Sequence, residues 1–490
     1  MRFNHYFVSI LMLFILLGYT VTYADDASLM IRNATLITVD PKKPDAFNGY
    51  LVVGGDGRIS HIGAGNPPTG IIASKTIDMG GQVVAPGFIS AHSHIYMSPL
   101  RGLGHDQNLY GWFKAWDYYL RHTTAEDNYW FTLHGSLDFI RNGITTAYDF
   151  TNSAAIDRLG DDPSQGVVPA ILKPGPFEEN QIQAKIDAGL RFINSSWLSE
   201  VGTDEDILGR YDAVFKWAAP MIEAEPLFLK MAVSGSQQFS PTNRAAKLEA
   251  AIMSKYKVIN QSHFLESPNE VEEQQKKFDW YLEAGVIGPD FIFGHFIHTN
   301  DEILDVVVEK GAKMSWQPTS NGRLADGIAD VVKYRELGIP VGVGLDDQSC
   351  TDVSDPFQNM RIGLYTMRAL HEKADVLSIK EMLFLHTLGS AEVLGVEQDV
   401  GSLEVGKFAD FIVVDLRSPD TGPIYEPLAS FVLASSLRNL KQVWIGGVQV
   451  AQGDKLLQYD EALVRKEIDT RTDRIRRVAA ATDAMVSTGE

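Results

Sequence analysis

One cysteine stands in 490 residues, Cys350, so the chain can form no internal disulfide and must hold its fold by packing. Basic residues are scarce too: 43 Lys and Arg face 63 Asp and Glu, a formal net charge of −20. No Lys/Arg cluster breaks that balance, which argues against a nucleic-acid partner or an anionic membrane surface. No GxGxxG follows the first apolar run, so a nucleotide-binding open sheet lacks its phosphate loop. What the chain has is core material. Hydrophobic residues make up 45% of it, enough for a large interior that needs no covalent staples.

The N-terminus reads as a leader. Arg2 and His5 precede the apolar run Phe7 to Leu17, and Thr22-Tyr23-Ala24 offers a small-residue cleavage site before Asp25. A signal peptide over residues 1–24 is expected, with export to a periplasm. The run is too short to cross a ~30 Å hydrocarbon core, so no stable membrane anchor is expected after cleavage.

Residues 25–82 and 399–460 share a texture of short alternating strands around Gly and Asn turns, as in "SLMIRNATLITVD" and "GKFADFIVVDL". The two ends are expected to build one composite β-domain around an α/β middle, residues 83–398. That middle carries eight apolar runs: Val83–Ala91, Gly143–Phe150, Val167–Lys173, Leu227–Gly235, Lys257–Phe264, Phe291–Phe296, Lys313–Pro318 and Pro340–Asp347. Each is continuous enough for a strand buried on both faces. Helix signals separate them. Thr299 with Glu302 and Ser378 with Glu381 have capping-box spacing, and Gly285 and Gly311 stand where helices should stop. Eight such units predict a (β/α)8 barrel. Residues 461–490 are charged and helix-prone, suited to packing or to a homo-oligomer contact.

His92-Ser93-His94 closes the first run. Residues i and i+2 of a strand share a side, so both imidazoles would project from the C-terminal mouth of the barrel, where active sites of this fold lie. A bare HxH is more often an ordinary pair. However, His263 ends the fifth run with Glu266 after it, His295 and His298 end the sixth, and Asp346 and Asp347 end the eighth. Each motif alone is weak; together they gather metal-ligand chemistry on one face.

With these residues in view the chain resembles the amidohydrolase superfamily, in the branch of deaminases and chlorohydrolases acting on heterocycles. The stretches that carry the resemblance are "PGFISAHSHIYMSPLRGLGHDQNLYGWF", "NGITTAYDF", "HFLES", "GHFIHTNDEIL", "QPTSNGRLADGIADVVKYRELGIPVGVGLDD" and "GSLEVGKFADFIVVD". The resemblance implies one divalent metal, zinc or Fe2+, held by His92, His94, His263 and Asp346, with an open position for an activated water. It further implies Asp346 as proton acceptor, His295 at the nucleophile or substrate, and Glu266 as the shuttle to the leaving nitrogen. His298 reads as structural.

Departures narrow the substrate. Asp347 follows Asp346 where relatives often have glycine, and reads as a turn residue. Gln237 and Gln238, candidate substrate contacts, stand where nucleoside-deaminating relatives commonly show histidine. Lys230 faintly resembles the carboxylated lysine of binuclear relatives; a salt-bridged lysine is the plainer reading. Trp112 and Trp116, at helical spacing beside Tyr110 and Phe113, suit either a ring-binding wall or helix packing. Ser320 and Asn321 are candidates for the pocket edge, and nothing activates Cys350. The expected function is cleavage of a C–N bond in a small cyclic or heteroaromatic molecule, above all hydrolytic deamination. Amide, lactam or dipeptide-like hydrolysis and dehalogenation are alternatives on the same site. A non-catalytic binding protein is a distant one, since a binder needs no water-activating set.

Overall fold

The computed structural model describes residues 27–158, 168–269 and 271–488. The leader expected over 1–24 lies outside them. Among the described residues no helix is long and apolar enough to cross a membrane.

The chain opens with five strands, β1 (Ala27–Leu36), β2 (Phe47–Gly54), β3 (Ile59–Ala64), β4 (Ala73–Asp78) and β5 (Val83–Pro86). The first apolar run then splits at Gly87. A Cβ there would lie 2.2 Å from Thr145 Oγ1, so only glycine lets the chain pass from one sheet into the next. β6 (Phe88–Ser93) begins the barrel and pairs in parallel with β7 (Ile144–Phe150).

The expected third barrel strand is corrected. Val168–Leu172 is a strand, β9, but it pairs antiparallel with β8 (Ala154–Arg158) as a separate hairpin. The barrel's third strand is β10, Arg191–Trp197, between β7 and β11 (Phe228–Gly235). Its sequence, RFINSSW, hides it from a hydrophobicity reading, because its polar side chains are buried, with Arg191, Asn194 and Ser196 paired. Asn194 accepts from Lys185 Nζ at 2.8 Å and donates to Glu178 at 2.7 Å. β12 (Asn260–Phe264), β13 (Phe291–His295), β14 (Lys313–Trp316) and β15 (Val341–Val343) complete eight parallel strands. The ring closes where Ser93 bridges Asp346 and Asp346 N donates to His92 O at 3.0 Å. This is the expected (β/α)8 barrel, and β7 and β13 are buried along their whole length.

Helix ends follow local chemistry. Ser378 and Glu381 form the expected capping box. Thr299 does not cap; Asn300 does, accepting from Ile303 N at 2.9 Å, while the Thr299 hydroxyl pairs with Tyr334. Gly285 and Gly311 lie at φ +71° and +74°, past the ends of their helices. After the barrel, β16 (Phe411–Val414), β17 (Leu440–Ile445), β18 (Val448–Gln452) and β19 (Lys455–Leu456) return to the first sheet, β16 pairing with β5. Both ends of the described chain thus share one nine-stranded sheet. The closing helix, Glu461–Thr488, lies on the helix Ala125–Arg141, with Arg471 on Asp127 at 3.1 Å.

Candidate metal centre

β6 and the residue after it deliver His92 and His94, and β12 delivers His263. Their Nε2 atoms converge: His263 lies 3.1 Å from His92 and 3.0 Å from His94. Asp346, just past β15, faces them with Oδ1 at 3.7 and 3.6 Å. Burial holds all three imidazoles neutral, lowering His94 to about 3 and the other two well below 6.5.

The tautomer of His92 is fixed from behind. Gln261 Nε2 donates to Ala91 O at 2.9 Å, so its Oε1 must be the acceptor for His92 Nδ1 at 2.5 Å. The proton therefore sits on Nδ1 and the Nε2 lone pair points at its two neighbours. Three nitrogens this close, with one of them bound to be an acceptor, cannot all satisfy one another. Across the gap stand buried carboxyls. Asp346 is pushed up to about 8 by burial and by Asp347, and Glu266 well above its usual range by burial and then by Asp326, Asp346 and Asp347. A divalent cation among the nitrogens and Asp346 answers both problems, and three nitrogens with one carboxylate suit zinc or Fe2+. His92, His295 and Asp346 form a second group of compatible spacing.

The strand ends are bent to make this geometry. Leu265, His295, Phe296 and Asp346 are non-glycine residues at φ between 49° and 64°. Such conformations cost of order 1–3 kcal/mol each and persist where the surroundings enforce them. Here Phe296 N on Phe264 O, Ile297 N on Leu265 O and Asp346 N on His92 O enforce them.

His295 Nδ1 meets Asn321 Oδ1 at 2.8 Å, while its Nε2 lies 3.4 Å from Glu266 Oε1 and 3.8 Å from Asp346 Oδ2 without a hydrogen bond. Burial lowers this imidazole to about 4. Glu266 Oε2 is buried with no partner among the described residues. Above the centre lies a cavity lined by His94, His263, Glu266 and Asp346 at one end. Tyr96, Met97, Leu109, Trp112, Phe113, Trp116, Trp197, Phe239 and Leu324 form the rest.

The structure thus gathers His92, His94, His263, His295, Glu266 and Asp346. The Trp112 and Trp116 rings pack against each other at 5.7 Å, and both line the cavity. Gln237 is fully engaged, donating to Thr242 O and accepting from Ala246 N, both at 2.8 Å, so it braces a turn. The Gln238 amide is buried without a partner. Asn321 and Ser320 hold His295 and Asp346, the latter by a 2.6 Å hydrogen bond, from behind the cavity wall. His298 bonds Asp326 O at 2.6 Å, a structural role. Asp347 accepts from Ser349 and Cys350 N–H groups as a turn residue. Burial raises the Cys350 thiol well above its usual value. Lys230 reaches the Leu394 and Gly395 carbonyls near the start of β11, at the opposite end of the barrel, so it bridges no metals.

Sequence reasoning missed Gln261, Asp149 and much of the aromatic wall. Gln261 was findable, two residues before His263 on the same strand face. Asp149, whose Oδ1 accepts from Ile95 N at 2.9 Å, fixes the backbone just after His94.

The model of the amidohydrolase family matches residues 83–450. A 5-methylthioadenosine/S-adenosylhomocysteine deaminase of Bacillus cereus is 27% identical over 436 residues, covering 88% of this chain and 95% of its own. Among solved structures, an adenosine deaminase from Xanthomonas campestris with bound zinc superposes with a TM-score of 0.79 at 20% identity, over 92% of this chain and 99% of that one. A zinc-bound atrazine chlorohydrolase from Arthrobacter aurescens gives 0.75 at 20% identity, over 91% and 100%.

Proposed function

The chain belongs to the amidohydrolase family, and from that premise we propose that it is a metal-dependent hydrolase that deaminates a small heteroaromatic compound. The observation that carries the reading is the junction of two things. Three imidazole Nε2 atoms and Asp346 converge on one point, and Glu266 lines the cavity beside them with an unpaired oxygen. Relatives named as deaminases support the choice of reaction.

A zinc or Fe2+ ion held by His92, His94, His263 and Asp346 would lower the pKa of a water toward ~7 and so supply a nucleophile at neutral pH. The chain's residues do the rest. Asp346, anchored through Oδ2 by Ser320, receives the proton of the attacking water. His295, its ring set by Asn321, turns Nε2 toward the same space and steadies the group under attack. Glu266, whose hold on a proton burial and the neighbouring acids strengthen, delivers a proton to the departing nitrogen so that it leaves as ammonia. The aromatic walls exclude bulk water from these transfers.

The test is a panel of aminated heterocycles, cyclic amides and chlorinated rings given to the zinc-loaded protein, with ammonia, ring opening and chloride measured in parallel. Ammonia release with about one metal per chain is expected. Chloride or ring opening without ammonia would move the reaction to another leaving group on the same site. No turnover in any class by fully loaded protein would overturn the reading.

A further inference from the structure

Resting on that deaminase reading, we infer that the substrate is a heteroaromatic amine carrying an apolar substituent in place of any anionic group or sugar, so that ribosides, carboxylates and phosphates are excluded. The cavity divides sharply in character. Its ionisable residues are His94, His263, Glu266 and Asp346 of the metal centre and the Tyr96 phenol beside them, and among the described residues no Lys or Arg lines it. Behind Glu266 lie two further buried acids, Asp326 and Asp347. A carboxylate or phosphate tail would be stripped of water beside these acids, with no cation in the walls to receive it.

A ribose fails for a different reason. Each of its hydroxyls needs a partner once buried. Apart from the Tyr96 hydroxyl beside the metal centre, the walls among the described residues are aromatic rings and aliphatic or thioether side chains. Three unpartnered neutral groups are near: the indole N–H of Trp116, that of Trp197, and the amide of Gln238 in the turn that carries Phe239. Two indole donors and one amide match the ring nitrogens and amino group of a heterocycle, and a ring seated on them leaves, among the described residues, only the Tyr96 hydroxyl for the several hydroxyls of a sugar. The remaining surface favours a flat ring and an alkyl group. Trp116 packs edge-on against Trp112 and Phe113, with centroids 5.7 and 5.5 Å apart, forming a preset slot.

The experiment uses aminopurine, aminopyrimidine and aminotriazine rings, each bearing a butyl, a ribosyl or a carboxypropyl group. kcat/KM for ammonia release is measured on the zinc-loaded protein, and Kd by calorimetry on zinc-loaded Glu266→Gln. At least one ring should show its butyl member preferred by ~100-fold or more over both polar counterparts in Kd and in kcat/KM. Tight binding of that butyl member with no ammonia release from wild type would uphold the substrate class and overturn the deaminase reading. A ribosyl or carboxypropyl member that matches or surpasses the butyl member overturns the inference and leaves deamination standing. Equal binding of all three on every ring overturns it as well.

Discussion

Glu266 is the residue on which the chemistry turns, because it alone among the described residues joins a cavity position to an unpaired carboxyl oxygen. Glu266→Gln keeps the shape and removes the transferable proton. General acid/base groups contribute typically ~10²–10⁴-fold, so kcat should fall by that order while metal content per chain stays unchanged. Loss of metal together with activity would instead make Glu266 a structural support. Gln261 makes a different demand. It pins the His92 tautomer, and partners of this kind are worth ~10–100-fold in metal affinity. Gln261→Leu should lose zinc to a competing chelator at a correspondingly lower concentration, and unchanged competition would refute the role. The ligand-type residues were legible because each stands at a strand end in a recognisable stretch. Ser320 and Asn321 were legible as neighbours of the site but not in their duty, since only the folded backbone turns them toward Asp346 and His295 rather than the cavity.

At the scale of the element, β6 is the piece that must not move, and a buried histidine clamps it. His386 donates from Nδ1 to Ile89 O at 3.0 Å and receives Asn359 Nδ2 on Nε2 at 3.3 Å. The bond from Asn359 needs the neutral ring, whose Nε2 alone can accept, and burial lowers its pKa to about 4. Below 6.5 the unfolded chain takes up a proton that the folded chain refuses. Stability present above pH 6.5 is therefore lost as pH falls toward 4, by about 3 kcal/mol for this one group. His386→Gln can keep the bond to Ile89 but does not titrate. Urea unfolding at about pH 7 and about pH 4.5 should show a smaller acid loss in the variant, by about 2–3 kcal/mol, and equal losses would exclude the clamp. Elements of this barrel were readable where burial coincides with hydrophobicity, as in β7 and β13. β10 escaped because Arg191, Asn194 and Ser196 are buried in partnership with residues of other elements, and partnership leaves no trace in local hydropathy.

The whole molecule is tied together by one such partnership. Arg191, at the start of β10, reaches into the terminal sheet and grips Asp410 with both arms, at 2.7 and 2.9 Å, while donating to Pro226 O at 2.6 Å. Both side chains are almost wholly buried, and Asp410 Oδ1 also accepts from Gly446 N at 2.7 Å. The pair thus joins the barrel to the sheet made from both ends of the described chain. Breaking a buried pair from one side costs ~3–5 kcal/mol, chiefly because the remaining charge is left uncompensated. Arg191→Ala should therefore lower the unfolding free energy by about that amount, with zinc binding at the far mouth of the barrel retained. Adding Asp410→Asn keeps an acceptor for Gly446 and removes the stranded charge, so the double variant should recover part of the loss despite carrying a second mutation. If the double variant is instead as unstable as the sum of the two single ones, the pair is not coupled and the link between barrel and sheet rests on hydrophobic contact alone.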